Sequence, residues 1–135
     1  MKEIRKQFLS FFKNKNYHIL NSASIVPEND STLLFVNSGM APLKKYFINN
    51  DEYEFKNFAN SQYCLRINGK HNDLSDIGYS KRHHTLFEML GNFSFNANSK
   101  IDAIKNIWQF CISELNLDEG KLYVTVHESN LEKFF

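Results

Sequence analysis

The sequence predicts an α+β chain in which an antiparallel sheet is flanked by helices. Three observations carry this expectation. An amphipathic helix opens the chain, a strand–loop–strand segment fills its middle, and a capped amphipathic helix follows. At 135 residues, the chain is read as one unit, 1–135, long enough to bury a core.

The first helix rests on Ile4, Phe8, Phe11 and Phe12, which recur at helical spacing with Lys2, Glu3, Arg5, Lys6 and Lys13 between them. It is expected to end near Asn14–Asn16. Tyr17 to Leu20 reads as a short extended segment. Pro27 then holds Val26 away from helical geometry, and Thr32 to Val36 is a compact apolar run suited to a buried strand. Ser38–Gly39 breaks that run, and Met40 to Phe47 reads as a short helix or turn. Asn49 to Phe55 reads as a surface loop.

Phe58 to Arg66 and Thr85 to Leu90 are the two arms of the expected hairpin. Between them, Ile67 to Arg82 is polar and carries Asn68–Gly69 and Gly78, the composition of a long loop. Loops of that length are often functional. In the second helix Ser99 is placed to cap and Asp102 sits in the first turn, where a negative charge favours the helix dipole. Ile101, Ile104, Trp108, Cys111 and Leu115 mark one face. Leu122, Val124 and Val126 alternate with Tyr123, Thr125 and His127, the pattern of a half-buried strand.

Composition narrows the functional classes. The net charge of +1 provides no global basic field for a large nucleic acid. The thirteen Phe favour a globular chain over a disordered one. Arg5, Arg66 and Arg82 are the only arginines in a Lys-rich chain. Cys64 and Cys111 lack metal-ligand spacing and read as reduced thiols. No run is long enough to span a membrane and no leader pattern is visible, so the chain is expected to be soluble and cytoplasmic.

The chemistry concentrates between Ser61 and Phe95. Arg66, Lys70, Lys81 and Arg82 face only Asp73 and Asp76, and three histidines add donors. Such a cluster suits a phosphorylated small molecule, since Arg offers phosphate a planar fork and Lys a mobile point charge. Phe87 offers a flat face for a base, and Glu88 an acceptor for an amine or a metal. The same residues also fit a solvated basic loop beside ordinary core aromatics. A zinc site from His71, His83 and His84 is a third reading, weakened because consecutive strand residues point to opposite faces.

The string Arg66-x-x-Gly69-Lys70-His71-Asn72-Asp73-Leu74, followed by His83-His84-Thr85-x-Phe87-Glu88-Met89-Leu90-Gly91-Asn92-Phe93-Ser94-Phe95, resembles motif 2 of the alanyl-tRNA synthetases. Upstream, Ser24-Ile25-Val26-Pro27-x-Asn29-Asp30-x-Thr32-Leu33-Leu34-Phe35-x-Asn37-x-Gly39-Met40 is similar to the motif 1 region. Glu3-Ile4-Arg5-x-x-Phe8-Leu9-x-Phe11-Phe12 matches the first helix of that family.

The resemblance implies an incomplete class II catalytic sheet that carries motifs 1 and 2 only. It also implies ATP-dependent activation of alanine and its transfer to tRNA(Ala), with ATP and Mg2+ as cofactors. Under it, Arg66 contacts the α-phosphate and the alanine carboxylate, and Lys70 stabilises charge on the transferring phosphate. His84 reaches the ATP phosphates, Phe87 stacks on adenine, Glu88 lies near the adenine amine, and Met40 walls the amino-acid pocket. No metal ligand is assigned, and the family's zinc site falls outside this chain. Motif 3 and the tRNA contacts are expected from other segments or from a second chain. Low stability alone, or association, follows as an expectation. The alternative function is a non-catalytic remnant that binds ATP or a partner.

Overall fold

The computed structural model describes residues 2–28, 30–48, 56–67, 75–95, 97–125 and 127. Helix α1 spans Lys2–Asn14. It closes with Asn16 in the left-handed region (φ 63°). Asn16 N–H donates to Lys13 O at 3.0 Å and Tyr17 N–H to Phe12 O at 3.0 Å, the two bonds of a Schellman ending. The Tyr17 ring then packs on Phe12 at 4.9 Å between centroids, so the turn that stops the helix also delivers an aromatic to the core.

Among the described residues three strands follow: β1 (His18–Leu20), β2 (Asn57–Leu65) and β3 (Leu86–Ser94). The sheet order is β1-β2-β3. β2 and β3 pair antiparallel with Ser61 opposite Leu90 and Cys64 opposite Phe87, as the hairpin expectation required. β1 pairs with β2 in parallel, so the sheet is mixed rather than purely antiparallel. The reason is connectivity: a long excursion separates β1 from β2, long enough to bring the chain back in the same direction.

One face of the sheet carries α1. Phe8, Phe11, Phe12, Tyr17, Ala59 and Phe110 form a buried cluster there, with Leu9, Ile19, Leu90 and Leu115 packed around it. Phe110 meets Phe8 edge-on at 5.3 Å, a favoured aromatic geometry. It arrives at the end of α3 (Lys100–Gln109), in a π-helical turn at Phe110–Glu114. α3 begins with the capping box the sequence indicated: Ser99 Oγ accepts from Asp102 N–H, and Asp102 Oδ2 accepts from Ser99 N–H. Of the face read along this helix, Leu115 packs beside the core cluster. Ile101 and Ile104 are exposed, as is Ile107, and Phe110 is the residue that inserts.

The other face is covered by the segment from Ser22 to Leu43 and by α2 (Lys44–Ile48), preceded by a single 3-10 turn at Ala41–Leu43. Tyr46, Phe58 and Phe95 form a second aromatic cluster there.

Two expected strands do not form among the described residues. Thr32–Val36 is not extended, because Asp30 captures its start. The Asp30 carboxylate accepts from Thr32 N–H at 2.9 Å and from Lys44 Nζ at 3.1 Å, and Leu33 N–H turns back to Asp30 O. Only Val36 of that run is buried. Leu122–Val126 follows a 3-10 turn at Glu119–Lys121 capped by Asp118. Tyr123 and Val124 are exposed, and the described part of the run pairs with no strand among the described residues. Asn49–Phe55, Lys70, His71 and Asp73 lie outside the described residues, as do 68–74 generally.

Candidate nucleotide and amino-acid site

Strand alternation sorts the hairpin into two faces. Ser61, Tyr63, Glu88 and Leu90 point toward α1. Asn60, Gln62, Cys64, Phe87, Met89 and Gly91 point toward the 22–43 segment, and Arg66 continues that side just past the end of β2.

Arg66 is anchored through both its backbone and its side chain. Its backbone N–H donates to Thr85 O at 3.0 Å, which closes the hairpin beyond Leu65. Its Nε donates to Asn37 O at 3.1 Å. Its guanidinium carbon lies 5.1 Å from the centre of the Phe87 ring, within cation–π range. A half-buried cation, a flat aromatic and the loop that leads into Met40 therefore meet at one end of the sheet. Met40 is half exposed and starts the 3-10 turn.

The loop that reaches Arg66 is fixed along its length. Gln62 is fully buried. Its side-chain amide accepts from Ala23 N–H at 2.8 Å and donates to Ala23 O at 3.0 Å and Tyr63 O at 2.8 Å. In effect this side chain replaces a strand partner that β1, only three residues long, does not reach. Val36 O accepts from Leu65 N–H at 2.9 Å, and Val36 N–H donates to Ile25 O at 2.8 Å. Buried polar strand residues bonded to a loop were not singled out in the sequence. The visible signal is the polar pair Asn60 and Gln62 at every second position between Phe58 and Cys64, on the same strand face.

The remaining site residues separate. His84 is exposed, in a stretch without regular structure, and neighbouring His83 has Nδ1 2.9 Å from Ser80 Oγ. Lys70 lies outside the described residues. Glu88 points away from Phe87, toward α1. There Arg5 Nε donates to Glu88 Oε2 at 2.6 Å, the Arg5 terminal nitrogen donates to Oε1, and Ser61 Oγ donates to Oε2 at 3.0 Å. Burial pushes the Glu88 carboxyl up. Hydrogen bonds from Arg5, Ser61 and Tyr63, with the Arg5 charge, outweigh it and hold the group below the usual carboxylate range. Burial pushes the Cys64 thiol up, against the opposing pull of the Arg66 charge.

Comparison with known proteins covers nearly the whole chain. The family model described as tRNA synthetases class II (A) matches residues 3–134. The chain is 49% identical over 134 residues to the alanine–tRNA ligase of Buchnera aphidicola, covering 98% of this chain and 15% of that protein. It is 47% identical over 131 residues to the alanine–tRNA ligase of Neorickettsia sennetsu, and 48% identical over 132 to that of Colwellia psychrerythraea, again spanning 15% of each. The segment matched is the N-terminal part of those relatives. With motif strings, hairpin register and family match in agreement, the chain belongs to the class II tRNA synthetases (A).

Proposed function

We propose that this chain supplies the motif 1 and motif 2 side of a site that activates alanine with ATP for transfer to tRNA(Ala). The observation that carries the proposal is the placement of Arg66 between Asn37 and Phe87, beside the loop that bears Met40. Relatives named alanine–tRNA ligase at this level of identity support it.

In the proposed reaction an alanine carboxylate oxygen attacks the α-phosphorus of ATP. The bond from that phosphorus to the bridging oxygen breaks, and pyrophosphate leaves with the electron pair. No proton need move in this step, so catalysis rests on alignment and on stabilising negative charge. The Arg66 fork suits both tasks, because it can bridge the incoming carboxylate and an α-phosphate oxygen. The Asn37 carbonyl takes the Nε hydrogen and so fixes how the side chain leaves the strand end.

Phe87 is the proposed shelf for adenine, His84 the contact for the phosphate tail, Lys70 the second cation, and Met40 the wall that limits the amino-acid pocket. Glu88 is proposed to serve the nucleotide site through β3. Its carboxylate ties the strand to α1 one residue from Phe87, on the face away from the shelf. Mg2+ enters with the ATP phosphates in this proposal. Glu88 is committed to Arg5 and Ser61, so no step is routed through a metal held by the described residues. Contacts to tRNA(Ala) come from segments outside this chain or from a second chain, in keeping with the near-neutral charge. No described helix is long and apolar enough to cross a membrane, and a cytoplasmic location is proposed on the same footing as the activity.

The test is alanine-dependent exchange of pyrophosphate into ATP. It is run on this chain alone and on a hybrid in which the chain replaces the matching part of the Buchnera aphidicola relative. The expected result is exchange from the hybrid and little or none from the chain alone. A folded hybrid without exchange, beside an active parent, overturns the proposal.

A further inference from the structure

Gly39 is held from both ends. Its N–H donates to Met89 Sδ at 3.3 Å, and its carbonyl accepts from Asn60 Nδ2 at 3.2 Å. Both partners stand on the sheet face that carries Arg66 and Phe87, Asn60 on β2 and Met89 on β3. Asn60 is only 2% exposed, so its amide has no freedom to trade this carbonyl for bulk water.

The notch has no spare room. A Cβ at Gly39 would lie 3.2 Å from Asn60 Oδ1 and 3.4 Å from the tip of Phe93. A Cβ at Gly91, across the strand pair from Asn60, would lie 2.5 Å from Phe93 and 3.0 Å from Asn60 Oδ1. Among the described residues, that same Oδ1 has no hydrogen-bond partner. It faces the two glycine backbones, where only weak Cα–H contacts are on offer. A buried amide acceptor left in this state carries a free-energy cost, and what the arrangement secures is the position of one peptide unit. The next residue along is Met40. Two residues earlier the same loop gives Asn37 O to Arg66 Nε.

We infer that Asn60 and Met89 are positioning residues that set the amino-acid pocket, by fixing the Gly39 peptide and with it the projection of Met40. The inference rests on the proposed alanine-activating reading of this face. The clamp acts on the loop that carries Met40 and leaves the Phe87 shelf in place. Its loss therefore weakens recognition of alanine more than recognition of ATP. A substitution that merely softened the fold would weaken both.

The experiment uses the hybrid enzyme, measuring alanine and ATP KM in pyrophosphate exchange for Met89→Leu, Asn60→Ala and Met40→Ala. Met89→Leu keeps volume and removes the sulfur acceptor, so the fold is retained. The expected rise in alanine KM is about threefold for Met89→Leu and about fivefold for Asn60→Ala, the size of one modest hydrogen bond, with ATP KM held within about twofold. In parallel, hydrogen exchange at the Gly39 amide is followed by NMR on this chain and its Met89→Leu variant. It is expected to quicken by about threefold or more.

If alanine and ATP KM rise together, or if alanine KM and Gly39 exchange stay at their starting values, the inference is wrong. If Met40→Ala also leaves alanine KM unchanged, or the unmodified hybrid shows no exchange, the reading of the pocket has failed. The Gly39 amide then decides the clamp by itself.

Discussion

Removing the Arg5–Glu88 pair should unfasten α1 from β3, and the structure sets the scale of the effect. Arg5 offers two nitrogens to the two carboxylate oxygens, the charge-assisted fork geometry. The side chains are 35% and 26% exposed, so water screens the pair in part. An attraction of about 4 kcal/mol, as for unit charges near a protein surface, is then reduced by desolvation and side-chain ordering. A net coupling of about 1 kcal/mol remains, at the upper end for exposed pairs. The measurement is a double-mutant cycle of Arg5→Met and Glu88→Gln by urea titration, in a fixed concentration of a stabilising osmolyte to secure a folded baseline.

The pH dependence of that cycle has a definite sign. Glu88 is held below the ordinary carboxylate range in the folded chain. Its contribution is therefore fully present above the unfolded value of about 4.3. It disappears as pH falls through the depressed folded value, and the gap between wild type and Glu88→Gln should close on the acid side. A coupling below about 0.3 kcal/mol at neutral pH, or a gap that widens on acidification, would refute the reasoning.

Three further outcomes follow from the packing. Phe12 has no exposed surface and touches Phe8, Phe11 and Tyr17. Phe12→Ala should cost about 3–5 kcal/mol and leave the chain without dispersed methyl resonances in a proton NMR spectrum. Cys64 is fully buried with its thiol pushed up, whereas Cys111 is partly exposed. A thiol reagent at neutral pH should modify Cys111 first and Cys64 only on unfolding. Ile101, Ile104, Ile107, Leu117, Tyr123 and Val124 leave apolar surface exposed along α3 and beyond. Sedimentation velocity should show concentration-dependent association, and an ideal monomer at high concentration would contradict that.

The sequence made local signals legible. The Ser99 box, the α1 stripe and the paired arms around Arg66 are each written in a few neighbouring residues, and they form as read. Assignments that required a distant partner were harder to read. Thr32–Val36 has strand composition, but the competing partner is the Asp30 side chain, whose bonds to Thr32 and Lys44 favour a turn. The α3 stripe has helical period, yet it does not reveal which of its apolar residues meets α1, and the π turn brings Phe110 in. The parallel pairing of β1 depends on a long connection that no local pattern encodes.

The site divides in the same way. Arg66 and Phe87 come together because a hairpin register follows from two strands and a loop. The resemblance placed Glu88 near the adenine amine, whereas strand alternation turns its carboxylate to the α1 face, opposite Phe87. Asn37 acts through its backbone carbonyl, and Asn60 and Gln62 through side chains that reach from β2 to loop backbone; the polar pair is visible in the sequence, but its partners at Gly39 and Ala23 are not.

The central claim is that Arg66 is the residue through which this chain would engage both alanine and ATP. Arg66→Ala and Arg66→Lys in the hybrid, assayed by alanine-dependent pyrophosphate exchange, test it most directly. Lys keeps the charge and loses the planar fork, so both variants should lose at least about a hundredfold in kcat/KM, with far-UV circular dichroism unchanged. Exchange by Arg66→Ala at the rate of the unmodified hybrid would contradict the account.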